Sequence, residues 1–68
     1  MTLKEWAMQR LSKKEIEALP YWADGLYMIN VITTSWIRDS GGEYSEDNRE
    51  DIVQILLGEY EEETGNKI

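Results

Sequence analysis

Residues 21–39 read YWADGLYMINVITTSWIRD, and they fit two incompatible structures. Leu26–Ile37 is rich in β-branched and aromatic residues, and Gly41-Gly42 beyond it offers a hairpin turn, which together describe a strand. The spacing describes a helix instead. Trp22, Leu26, Ile29, Trp36 and Ile37 recur at steps of four, three, seven and one, with Thr33 filling the stripe. Strands in small domains are typically about 3–10 residues long, so an apolar-periodic run of this length favours the helix. Pro20, which cannot extend a helix ending at Leu19, fits the first position of the new one. At about 100° per residue, Tyr21, Met28 and Ile32 form a second apolar stripe beside the first, leaving Asp24, Asn30, Thr34 and Arg38 on a narrow polar side. Trp22 and Trp36 are assigned to the core, while Tyr27 and Tyr44, off the main stripe, are expected at the surface.

Toward the N-terminus two capping boxes mark helix starts: Thr2 with Glu5, and Ser12 with Glu15. In each, the hydroxyl accepts from the third helical amide while the carboxylate reaches back to the cap. They predict a helix over about Leu3–Leu11, with Leu3, Ala7 and Leu11 on one stripe and Trp6 beside it, and a second over Lys13–Leu19. Toward the C-terminus, Gly41 or Gly42 ends the central helix, with Arg38 complementing its dipole. A last helix begins near Ser45 or Asp47, with Ile52, Val53, Leu56 and Tyr60 facing the core, and stops at Gly65. The expected fold is all-α: a small three- to four-helix bundle with a long central helix, formed by residues 1–68 as a single helical domain.

The chain has 68 residues, 41% of them hydrophobic and 31% charged, with no repeat and no low-complexity tract. It contains neither Cys nor His, which excludes disulfides, thiolate or imidazole metal sites, thiol nucleophiles and imidazole bases. Paired carboxylates such as Glu50 and Asp51 need a cleft to split their pKa values before they can act as acid and base, and a bundle of this size offers little cleft. No phosphate-binding glycine loop or metal triad is present, so a non-enzymatic protein without cofactor is expected. Asp39–Glu50 spans the twelve residues of a calcium loop, with Asp39, Glu43, Asp47 and Glu50 at ligand positions. Gly41 and Tyr44 break that pattern where a side-chain oxygen and the turn glycine are needed.

The net charge of −7 is distributed unevenly. Residues 1–38 carry five basic and four acidic side chains, and residues 39–68 carry two basic and ten acidic ones. The acidic residues of the last helix and the turn before it, Glu43, Glu46, Asp47, Glu50, Asp51, Glu61 and Glu62, with Tyr44 as an aromatic anchor, form the candidate partner-binding surface. Such a surface meets a Lys/Arg-rich protein by complementary potential, or takes the place of nucleic acid on it. The competing interpretation is a solvated face that keeps a small protein soluble. Lys4, Arg10, Lys13 and Lys14 are the one basic cluster, around a helix-turn-helix-like segment. They are too few to bring a chain of this charge onto DNA, so no direct nucleic-acid contact is expected.

In composition the chain resembles the small acidic, cysteine-free host-takeover proteins of bacteriophages, including anti-CRISPR and DNA-mimic inhibitors. That resemblance implies an inhibitor or adaptor acting on a partner's basic surface. The alternative is a homodimer or other homo-oligomeric structural subunit that associates through the Tyr21, Met28 and Ile32 stripe, since so short a chain has little with which to cover both sides of its central helix. No apolar run approaches the roughly 20 residues of a membrane span, and the opening Met1-Thr2-Leu3-Lys4-Glu5 is helix-like, unlike a signal peptide. A cytoplasmic protein without membrane contact is expected.

Overall fold

A computed structural model describes residues 1–67, and among them there are helices and turns but no strand. Four α-helices follow in order: α1 (Leu3–Met8), α2 (Lys13–Glu17), α3 (Gly25–Asp39) and α4 (Arg49–Thr64), the last preceded by a 3₁₀ turn over Glu46–Asn48. The long helix α3 lies at the centre and packs against both α1 and α4.

Both capping boxes form as the sequence suggests. Thr2 Oγ1 accepts from the Glu5 amide at 3.1 Å while Glu5 Oε1 accepts from the Thr2 amide at 2.9 Å, and Ser12 with Glu15 repeats the arrangement. Both short helices end sooner than expected. α1 stops at Met8, and Leu11 is buried from the turn that follows instead of from the helix. α2 stops at Glu17, so Leu19 and Pro20 lie outside it.

The start of the central helix differs most from expectation. Pro20 does not open it. The Ala23 amide donates to Pro20 O at 3.0 Å, closing a turn over residues 20–23, and Asp24 then caps α3 by accepting from the Tyr27 amide at 2.8 Å. Asp24 is a better cap than any residue near Pro20, because its short carboxylate satisfies an amide the first turn leaves unpaired. Tyr21 and Trp22 are consequently outside the helix and exposed, and Trp22 is not a core residue. Gly25 fits its position by lacking a side chain, since a Cβ there would stand 2.8 Å from Leu3 Cγ.

The helix packs midway between the two apolar stripes. Met28 and Ile29, one from each, are both buried with Thr33, while Ile32, Trp36 and Ile37 are half-buried against them and Leu26 is left outside. The Tyr21, Met28 and Ile32 self-association stripe is therefore overturned: Tyr21 is in a turn, Met28 is 2% exposed in the core, and Ile32 packs against that core. Thr33, fully buried, donates its hydroxyl to Ile29 O at 2.8 Å and leaves no polar atom unpaired.

From α4, Ile52, Leu56 and Tyr60 enter the core and Val53 packs at its edge. Trp6 of α1 meets Tyr60 edge-to-face at 5.8 Å. Burying a ring of this size stabilises by about 4–6 kcal/mol as an upper bound. α1 and α4 are also joined by polar contacts. Glu63 Oε1 accepts from Trp6 Nε1 at 3.2 Å and from Arg10 Nη2 at 2.8 Å, while the Arg10 guanidinium lies 3.6 Å over the Trp6 ring. The Met1 carbonyl accepts from Tyr60 Oη at 3.1 Å and from Asn66 Nδ2 at 2.8 Å. Gly65, with φ of 73°, takes the left-handed conformation that ends α4.

Candidate protein-binding surface

Every carboxylate of the expected acidic surface is exposed: Glu43 in the turn after α3, Glu46 and Asp47 in the 3₁₀ turn, and Glu50, Asp51, Glu61 and Glu62 on α4. They do not form one continuous edge. Ile52–Gly58 contributes no carboxylate, so the charges fall into a group at each end of the helix, separated on the outer side by Gln54, Gly58 and Ile55, the last 50% exposed. Glu50 and Glu61, like Asp51 and Glu62, are eleven residues apart. Three helical turns bring each pair back onto one line, about 16 Å apart.

The two groups stand in opposite electrostatic situations. At the N-terminal end, Glu46, Asp47, Glu50 and Asp51 surround the positive pole of the helix, where each carboxylate contributes to helix stability. Glu46 is also held by Arg49, whose Nε donates at 2.7 Å, and this guanidinium keeps the Glu46 carboxyl below its ordinary value. Arg49 then reaches across to α3, donating to Thr34 Oγ1 at 2.8 Å and to Asn30 O at 3.2 Å, which fastens the start of α4 to the central helix. At the C-terminal end, Glu59, Glu61, Glu62 and Glu63 crowd the negative pole, and the last turn contains no basic residue. Glu63, through Arg10 and Trp6, helps to hold the fold together.

Tyr44 is not the free anchor that the sequence suggested. Its ring is half-buried, edge-on to Trp36 at 6.3 Å, and its amide donates to Ser40 Oγ at 3.1 Å. The large side chains that do stand in solvent are at the other end of α3. Tyr21 is 98%, Trp22 61% and Leu26 49% exposed, and Tyr27 adjoins them. Trp22 and Tyr27 meet edge-to-face at 5.0 Å. Sequence reasoning missed Trp22 as a surface residue because it ran the helix back to Pro20, and Leu26 because the rotation of α3 about its axis is set by packing. The signal that corrects it is Asp24 three residues before Tyr27, a cap position.

The basic residues gather elsewhere. Arg10, Lys14 and Arg38 line a groove of about 820 Å³ between the α1–α2 segment and α3, together with Glu15 and Asp39. Glu15 is committed to structure there. Its carboxylate accepts from the Ser12 amide and from Ser35 Oγ at 2.6 Å, and these bonds lower its pKa. Arg10 is likewise taken up by Glu63 and Trp6, which leaves the groove with mixed charge. Among the described residues no three carboxylates come together in a way that could hold a metal ion, and no helix is long and apolar enough to cross a membrane. Comparison with protein-family models, with curated proteins and with solved structures found no match.

Proposed function

We propose that this chain is a non-enzymatic protein-interaction module, an inhibitor or adaptor whose acidic helix α4 occupies a basic surface of a partner protein. The observation that carries this reading is the pair of carboxylates Glu59 and Glu62 near the C-terminal end of α4. Glu59 and Glu62 oppose the helix dipole and repel each other at a three-residue spacing, each effect disfavouring the helix by a few tenths of a kcal/mol to about 1 kcal/mol. A face needed only for solubility has no reason to concentrate charge where it works against the fold. Groups that lower stability without compensation are characteristic of binding sites. The two carboxylate groups, about three turns apart, suit a partner with two separated patches of Lys and Arg. When that partner surface is one that holds nucleic acid, the same charges compete for it.

The test is capture of a partner by the immobilised protein from cells of its source, at low salt and again at about 0.5 M salt, where the Debye length is only a few ångströms. Partner proteins retained at low salt, released at high salt and absent when Glu50, Asp51, Glu61 and Glu62 are all changed to Lys support the proposal. Equal retention by the charge-reversed variant, with its helicity intact, rejects it.

A further inference from the structure

Tyr21, Trp22, Leu26 and Tyr27 put four large side chains into solvent within seven residues of chain. Single exposed apolar residues are ordinary, but a contiguous cluster marks a contact surface. Two of its members, Trp22 and Tyr27, also hold each other in place. Asp24 caps the helix beneath it, and the Trp22–Tyr27 edge-to-face pair orients both rings, so little entropy remains to be lost on contact. Two shallow hollows flank it. One, of about 300 Å³, lies between α2 and α3 and is lined by Leu19, Tyr27 and Val31, with Glu15 and Arg38 at its far side. The other, of about 400 Å³, lies between α3 and α4 and is lined by Asn30, Asp47, Glu50 and Val53 with Glu46 and Arg49. Asn30 is one turn beyond Leu26 and donates to its carbonyl at 3.0 Å, so the aromatic cluster and the acidic start of α4 adjoin along one ridge of α3.

Arg49 shares the α3–α4 hollow but is engaged by Glu46, and among the described residues Asp47 and Glu50 form no ion pair. The ridge therefore passes from aromatic to negative within one or two helical turns. An occupant must have the reverse order: an apolar anchor followed by Lys or Arg at the next turn, which is the layout of a basic amphipathic helix. A second copy of this chain fits poorly, because symmetric pairing over the patch sets Asp47 and Glu50 against themselves in a molecule whose net charge is −7. We propose that the Tyr21–Trp22–Leu26–Tyr27 patch, with the adjoining Asp47–Glu50 edge of α4, docks a basic amphipathic helix of the partner; this rests on the acidic-surface reading given above and names what the N-terminal carboxylate group of that surface receives.

The test uses a synthetic helical peptide of about 14 residues with Leu at every third or fourth position and Lys elsewhere, beside one control with Glu for Lys and another with Ser for Leu. Binding is read by fluorescence, since Trp22 is the most exposed of the three tryptophans, and by amide chemical-shift changes, which need no variant. The Leu/Lys peptide is expected to shield Trp22 from acrylamide and to shift amides in 21–30 and 47–50, with neither control binding. Trp22→Ser with Leu26→Ser, and separately Asp47→Lys with Glu50→Lys, are each expected to weaken it about tenfold or more, while Glu59→Lys with Glu62→Lys changes it less than about threefold. Far-UV circular dichroism checks that each variant stays helical. Salt-sensitive binding that ignores the Trp22/Leu26 substitutions, or that falls equally with charge reversal at both ends of α4, overturns the docking face and leaves the acidic reading standing. Binding of the Leu/Glu control as tight as that of the Leu/Lys peptide, or no binding at low salt, overturns the basic occupant. A wild-type dimer in sedimentation that the Trp22/Leu26 substitutions split assigns the patch to a second copy and also overturns it.

Discussion

Two glycines inside helices show how one residue type can be required at one position and dispensable at another. Gly25 opens α3 against Leu3, and a methyl group there must displace the body of that side chain instead of a free end. Gly58, midway along α4, has nothing within reach of an added Cβ and has no conformational need for glycine. Gly25→Ala is expected to destabilise by about 1–2 kcal/mol, overpacking outweighing the propensity gain, whereas Gly58→Ala is expected to stabilise by up to about 1 kcal/mol. Urea denaturation of the two variants beside the wild type measures both, and the same sign for both would contradict the packing around Gly25. The propensity difference between Gly and Ala is visible in the sequence. The contact with Leu3, twenty-two positions away, is not.

At the level of elements, what the sequence made readable was local chemistry, and what it concealed was rotation about a helix axis. Thr2, Ser12 and Gly65 mark helix ends because cap hydrogen bonds and the left-handed stop involve only near neighbours. The orientation of α3 depends on α1 and α4 together, and two adjacent apolar stripes leave it undetermined. Only packing shows that Met28 is covered and Leu26 is bare. The placement of the candidate site was legible in the same partial way: the acidic residues of α4 are exposed as their polar spacing implies, but the aromatic patch beside them depends on where α3 starts. The short helix α2 offers a test of local chemistry. The Glu15 pKa is lowered first by the Ser12 amide and then by the Ser35 hydroxyl, so its ionised form is favoured in the folded state. Such a carboxylate stabilises fully above its unfolded value, near 4.5, and loses that contribution as pH falls through its lower folded value. Glu15→Gln is therefore expected to be less stable than wild type at neutral pH, with the difference shrinking below about pH 4.5 in parallel thermal melts. A difference independent of pH would mean that the Glu15 charge plays no part.

Over the whole molecule, charge and stability pull in different directions. The carboxylates at the start of α4 agree with the helix dipole and those at its end oppose it. Replacing Glu59 and Glu62 together by Lys should therefore raise the unfolding free energy by about 0.5–2 kcal/mol at low ionic strength, with the gain fading as salt is added. Loss of stability in that variant would show that these side chains support the fold, and would remove the reason for assigning them to a partner. The contacts of Met1 lead to a different conclusion. Its carbonyl is held by Tyr60 from α4 and by Asn66 just past it, and Trp6 is bonded to Glu63 in the last turn of that helix. Residues 1–6 and 60–66 are thus tied to one another, so neither segment can fray independently: unwinding the final turn of α4 releases Met1 and Trp6 as well, and an event in either segment is felt in both.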